Sequence, residues 1–265
     1  MPPKSAERPK SWKSVSWEQM ARENPLFAVM TTDEMAEAPS ADFSPELVEK
    51  LFAKGRRLFG KHIAGPLTHM PDPKDQALVV EYGCGVGRML KAASAAGYRV
   101  AGIDISPTML GHCRRLVPEA EALYVLDEDG RTAMPSGSAS AVFSYAVVQH
   151  ISRLSRYLLA FDEMCRILKP GGVLAVHLNC QDFEAGDFAN PGGTENHEAW
   201  SLHFKAGESE PFLRHEQNQW SGVYIGHERL TAWLAERGVR IDAWRPHNPG
   251  KSLAVWLYGV KRRRK

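Results

Sequence analysis

Apolar residues recur along this chain in two rhythms. One is the short unbroken run, of which "ALVVEY" (77–82) is the clearest. Without polar alternation, such a run predicts a strand covered on both faces. The other is the three-to-four spacing of a one-sided helix, as in "RMLKAASAAG", which Gly97 closes. The two rhythms alternate for about a hundred residues. "YRVAGIDI" reads as a strand, and "SPTMLGHCRRLV" as a helix with Ser106 as cap and proline at its start. "EALYVLD" and "SASAVFSYAVV" are further strands. "RLSRYLLAFDEMCRIL" is a helix stopped by "KPGG", and "VLAVHLN" is a fifth strand. Strands and helices in this order require right-handed crossovers, which lay the strands parallel with helices on both faces.

The rhythm breaks after Asn179. Residues 181–222 are rich in Gly, His, Glu, Asn and aromatics without a clear period, and are expected to form an insert across the carboxyl ends of the strands. It resumes with a helix, "HERLTAWLAERG", and two strands, "VRIDAWR" and "SLAVWLYGVK". No helix fits between those two, so they should pair antiparallel at the sheet edge. The fold class expected is α/β: a doubly wound, seven-stranded, mostly parallel sheet with its last strand antiparallel. Upstream, "SWEQMARENPLFAVMTTDEMA" starts a helix at Ser16 that Pro25 interrupts. "SPELVEKLFAKGRRLFGKHI" has Ser44 as cap, proline at the first helical position, and Leu47, Leu51 and Leu58 on one side. The organisation expected is a flexible basic leader over 1–16, an N-terminal helical segment over 17–70, and one domain over 71–265 with the insert inside it.

Length and composition fit one large globular domain. A formal net charge of +2 provides no global field for nucleic acid. The positive charge gathers at the ends, "MPPKSAERPKSWK" and "KRRRK", as solvated tails or as a grip on phosphates. Cys84, Cys113, Cys165 and Cys180 lack CxxC spacing, which predicts free thiols in a reduced, cytoplasmic setting. No run is long enough to span a bilayer, and no apolar segment follows the basic start as in a secretory signal. His177, His197, His203 and His215 lack a metal-ligand spacing, so no metal is expected.

"LVVEYGCGVGRML" (78–90) carries the chemistry. Gly83, Gly85 and Gly87 follow a buried strand, where glycine permits positive φ and lets a ligand lie against bare backbone. Asp104, at the end of the second strand and about 20 residues on, stands where a ribose hydroxyl pair needs an acceptor. The spacing is GxGxG, with Arg88 where a dinucleotide fingerprint has its third glycine, and nothing resembles GxxxxGK[ST]. Glu81 would repel a diphosphate and suits an ammonium or sulfonium. Gly87 admits a packing role alone. Cys84 reads as a small filler, since no base stands beside it.

"VVEYGCGVG" followed by "VAGIDIS" resembles the first two motifs of the class I S-adenosylmethionine-dependent methyltransferases. "AVFSYAVVQHI" and "ILKPGGVLAVHL" resemble that family's fourth- and fifth-strand segments. The likeness covers residues 78–180 and, more loosely, 223–262. It implies S-adenosyl-L-methionine as cofactor. Gly83, Cys84 and Gly85 would pass under its methionine part, with Glu81 indirectly holding the amino group. Asp104 would take both ribose hydroxyls, and Ile105 and Met109 would sandwich the adenine, although Met109 at helical spacing is by default a core residue. Asp129, before Gly130, would contact the adenine amine, with Asp127 the other choice. Tyr145 and Gln149 would line the methionine end, with His150 as general base toward the acceptor or as a residue that shapes the loop.

A helical lid over the cofactor is expected from Trp17 and "NPLFAV". An acceptor pocket would draw on His197, Trp200, His203, Arg214, Glu216, Asn218, Trp220 and Tyr224. The expected partner is a small-molecule acceptor methylated on O or N. "SYAVVQHI" departs from the Asn/Asp-Pro-Pro-Tyr/Phe loop of the family's base methylases, which argues against nucleic acid without excluding it. The alternatives are an RNA or protein methyltransferase, a non-catalytic cofactor-binding member, or an aminopropyl transferase using decarboxylated cofactor. Oligomeric state is left open.

Overall fold

The computed structural model describes residues 17–30, 43–151, 154–180, 223–247 and 254–263. The leader, the insert and its proposed acceptor residues up to Trp220 therefore lie outside the described residues. One sheet organises the molecule, in the order β3-β2-β1-β4-β5-β8-β7. Its strands are β1 (Leu78–Tyr82), β2 (Arg99–Asp104), β3 (Ala122–Val125), β4 (Ala139–Ser144), β5 (Leu168–Cys180), β7 (Val239–Pro246) and β8 (Ala254–Lys261). Strands β1 to β5 pair parallel, and β8 runs antiparallel between β5 and β7, as the missing helix between the last two strands required.

One short strand was not expected. β6 (Tyr224–Ile225) pairs parallel with Asn179 and Cys180 of β5. Asn179 already faces Ala254 of β8 on its other edge, so β6 takes the edge that β4 vacates beyond its last pair, Ser144 with Val176. Two residues carry no periodicity, which is why the sequence gives no hint of it. Cys180 and Val223, which flank the insert, thus stand at the carboxyl end of the sheet, where Val223 N–H donates to the carbonyl of Ile151.

Burial on both faces explains the unbroken apolar runs: all six residues of β4 are buried, as are the last four of β1. Val80, Val142, Leu174 and Leu257 face α7 (Leu154–Ile167) and α8 (His227–Glu236). Val79, Ala141, Phe143 and Trp256 face α3 (Pro45–His62), α5 (Arg88–Ala95) and α6 (Pro107–Leu116). Caps set the helix starts. Ser44 Oγ accepts from Leu47 N–H at 3.3 Å, and Ser106 Oγ accepts from Met109 N–H at 3.0 Å. Asn24 divides the first helical segment into α1 (Trp17–Glu23) and α2 (Pro25–Val29), and a single turn, α4 (Ala64–Leu67), follows α3. All four cysteines are buried and none is in a disulfide. Among the described residues no helix is long and apolar enough to cross a membrane.

Helix α3 lies so close to α5 that a Cβ at Gly55 would come within 2.1 Å of the carbonyl oxygen of Arg88. Gly60, on the same helix, has nothing within 4 Å. Gly55→Ala is therefore expected to destabilise the fold by about 1–3 kcal/mol through forced separation of the helices. Gly60→Ala should stabilise it by about 0.5–1 kcal/mol. Chemical denaturation of the pair checks this, and equal effects would contradict the close approach.

Candidate active site

The turn from β1 into α5 is a crook of backbone stapled to the end of β2. Gly83 and Cys84 N–H both donate to the carbonyl of Ile103, at 2.7 and 2.9 Å. Gly83 and Gly85 have φ of 76° and 51°. A Cβ at Gly83 would strike Val147 at 2.3 Å, and one at Gly85 would strike Val29 at 2.6 Å. Gly87, at φ 85°, serves packing: a Cβ there would lie 2.7 Å from Cys113 and Val117. Cys84 fills the space beneath Gly102, and the Cys113 thiol together with burial pushes its pKa well above the usual range. It is a filler and no nucleophile.

Asp104 is buried, and its carboxylate holds the crook. Gly85 N–H donates to Oδ2 at 2.8 Å and Ser106 N–H to Oδ1 at 2.9 Å. Burial raises its pKa against these hydrogen bonds. Glu81, only 4% exposed, is raised further by burial, with Arg88 pulling the other way. Its Oε2 has no hydrogen-bond partner among the described residues. Two carboxyls whose ionised forms are penalised by burial make a site that a cation would relieve.

A cavity of about 840 Å³ opens over the crook. Glu81, Gly83, Cys84, Gly85, Asp104, Ile105, Met109, Gly130, Tyr145, Gln149 and His150 all line it. Ile105 is 60% exposed, an apolar face suited to a flat ring, while Met109 is also packed against α1 and α2. Asp129 is the exception. Asp127 and Glu128 reach the cavity and Asp129 does not. Asp127 follows β3 by two residues and closes the turn, its Oδ1 accepting from the N–H groups of Asp129 and Arg131. That turn puts Asp127, the other choice of acid, on the inner wall.

Near the mouth, Trp17, Ala28, Val29 and Met30 also line the cavity. Glu18 fixes this segment, accepting from Ser106 Oγ at 2.6 Å and from Thr108 Oγ1 at 2.5 Å. The hydroxyls of Ser106 and Thr108 lower its pKa to about 2. No local pattern marks this contact, which spans some 90 residues. Glu163, an acid on the buried side of α7, was also missed. It accepts from Thr132 and Arg166 and so holds the loop that carries Asp127 and Gly130. Lys54 and Arg88 line the cavity as well, and the Arg88 guanidinium stands 5.3 Å over the Tyr145 ring. Gln149 Nε2 lies 3.3 Å from His150 Nε2, so an imidazole accepting there carries its proton on Nδ1. Burial lowers the His150 pKa to about 4.

Residues 80–176 match the methyltransferase domain family. Over 106 residues the chain is 34% identical to a trans-aconitate 2-methyltransferase of Azoarcus, covering 39% of this chain and 40% of that protein. It is 29% identical over 152 residues to a tRNA (carboxymethyluridine(34)-5-O)-methyltransferase of Macaca fascicularis, covering 56% and 21%. The chain thus spans less than half the length of these curated relatives. The crystal structure of a SAM-dependent methyltransferase from Leishmania major superposes with a TM-score of 0.53 at 14% identity, over 94% of this chain and 80% of that one. Residues 80–176 are thus similar to a methyltransferase domain, within a fold shared with S-adenosylmethionine-dependent methyltransferases.

The residues present fit that family's cofactor. Glu81 Oε2 and Gln149 Oε1 are buried acceptors with no partner among the described residues, both on the cavity wall. They suit the ammonium of the methionine part, whereas a diphosphate would meet acceptors where it needs donors. Lys54 and Arg88 line the same wall and would meet its carboxylate, while Asp104 would take the ribose and Ile105 the adenine. The staple has a measurable cost of removal. Asp104→Ala leaves the N–H groups of Gly85 and Ser106 unmet, for an expected loss of about 2–5 kcal/mol. Ile105→Ala should change stability by less than about 0.5 kcal/mol. Denaturant titration checks both, and a silent Asp104→Ala would contradict the staple.

Proposed function

We propose that the chain transfers a methyl group from S-adenosylmethionine to oxygen or nitrogen of a small-molecule acceptor. The observation that carries the reading is the buried pair Glu81 and Asp104 beside a bare glycine crook, with an unmet acceptor on Glu81. When bound, the cofactor supplies a methyl group activated on a sulfonium. The chain has to hold it, align the acceptor and exclude water, and alignment alone can contribute about 7–11 kcal/mol. Trp17, whose ring centroid is 5.5 Å from that of His150, closes the cavity on the acceptor side as a lid. His150 would receive the proton of an acceptor that arrives protonated, its Nε2 exchanging the contact with Gln149 for that proton.

The relatives' names include both a small acid and a tRNA as acceptors, and the rival reading is an RNA methyltransferase. The small-molecule reading rests on the enclosed, partly aromatic wall around His150 and on the near-zero net charge. Incubation with tritium-labelled cofactor and fractionated cell extract tests it. Label is expected in the small-metabolite fraction, and label in RNA or protein would overturn it.

The pH dependence is a second check. With its pKa lowered to about 4, His150 is in its neutral, proton-accepting form above that value and loses it as pH falls through about 4. Turnover should be level from about pH 5 to 7, and His150→Gln should lower it about 10²–10⁴-fold. An acid limb near the ordinary histidine value of about 6.5 would contradict the buried-base assignment.

A further inference from the structure

Three rings from distant parts of the chain meet Tyr145, which lines the cavity, and His62 joins them through Trp256 and His247. His62 ends α3, His177 lies near the end of β5, His247 follows β7, and Trp256 of β8 is the cross-strand partner of His177. Ring centroids are 4.9 Å apart for Tyr145 and His177, 4.6 Å for His177 and His247, and 4.9 Å for His62 stacked on Trp256. Trp256 Nε1 donates to His247 Nδ1 at 3.0 Å. His177 is different. It is 4% exposed, and neither of its nitrogens has a hydrogen-bond partner among the described residues, nor does Nε2 of His62.

A neutral imidazole presents one donor and one acceptor, and buried polar groups are normally satisfied. Among the described residues, the charged side chains that act on His62, His247 and Tyr145 are the basic Lys61, Arg57 and Arg88. Buried, unmet N–H groups, aromatic walls and a positive surround are the requirements of an oxyanion.

We propose that this cluster is the acceptor subsite, and that it binds a small molecule through an ionised oxygen, a carboxylate or an acidic aromatic hydroxyl, at His177 and His62. The proposal rests on the methyl-transfer reading. An oxygen lone pair forms the new O–CH₃ bond while the C–S bond breaks and its electron pair stays on sulfur. The negative charge of the acceptor and the positive charge of the sulfonium cancel, so no proton has to leave. Tyr145, stacked on Trp256 behind it, would pack against the acceptor's carbon skeleton from the cavity wall.

The test uses the full chain saturated with S-adenosylhomocysteine and p-nitrophenol as probe, whose yellow form is its phenolate. Saturable yellowing on binding is expected, reversed by benzoate and not by neutral benzamide. His177→Phe and Lys61→Gln should each weaken probe binding about tenfold while leaving the heat of S-adenosylhomocysteine binding unchanged. His177→Gln, which keeps a donor, should recover most of the loss. Benzoate binding tighter than the phenol supports the carboxylate form of the proposal, and the reverse order supports the hydroxyl form. Binding of the colourless phenol, displacement by benzamide, or full affinity in His177→Phe would overturn it. Absence of any S-adenosylhomocysteine heat would instead remove the methyl-transfer reading beneath it.

Discussion

The carboxylate of Asp104 is the constraint on which the site depends. It ends β2, receives the N–H groups of Gly85 and Ser106, and thereby fixes two turns at once: the crook after β1 and the start of α6. Ser106 in turn caps α6 and donates to Glu18, so the helix at the cavity mouth is anchored to the same point. The glycines then have a specific task. They allow a left-handed path in a space where Val147, Val29, Cys113 and Val117 leave no room for a Cβ. Neighbouring β-strands bring these pieces together because both sheet faces are covered and the register has little freedom to slip.

The charge around Tyr145 differs on its two sides. Around the crook, Glu81 and Asp104 are held above their usual pKa by burial, which favours a cationic guest. Beyond Tyr145 the balance reverses: Arg88, Arg57 and Lys61 surround rings that carry no negative charge. A donor that loses positive charge and an acceptor that loses negative charge would each find the surround they need. Arg88 belongs to both sides, pulling on Glu81 while standing over Tyr145.

Much of this was legible in the sequence, for identifiable reasons. Strands buried on both faces leave unbroken apolar runs, and caps such as Ser44 and Ser106 mark helix starts, so the order of elements followed from local signals. The glycine crook, Glu81 and Asp104 were readable because their spacing within one βαβ unit is itself the signal. Asp129 was chosen over Asp127 because the direction of a five-residue turn is set by side-chain hydrogen bonds that spacing does not encode. The ring cluster was invisible for a stronger reason. His62, Tyr145, His177, His247 and Trp256 come from five elements across nearly two hundred residues, and only the folded sheet brings them to one edge. The same holds for Glu18, which finds its partners at Ser106 and Thr108.

The central claim is that the crook and its two buried carboxyls select a cationic sulfur nucleoside over a diphosphate. Parallel calorimetric titrations with S-adenosylhomocysteine, which keeps the ammonium, and with NADH, which carries the diphosphate, test it most directly. The account predicts saturable one-to-one heat with the first and none with the second. Binding of NADH with no response to S-adenosylhomocysteine would contradict it.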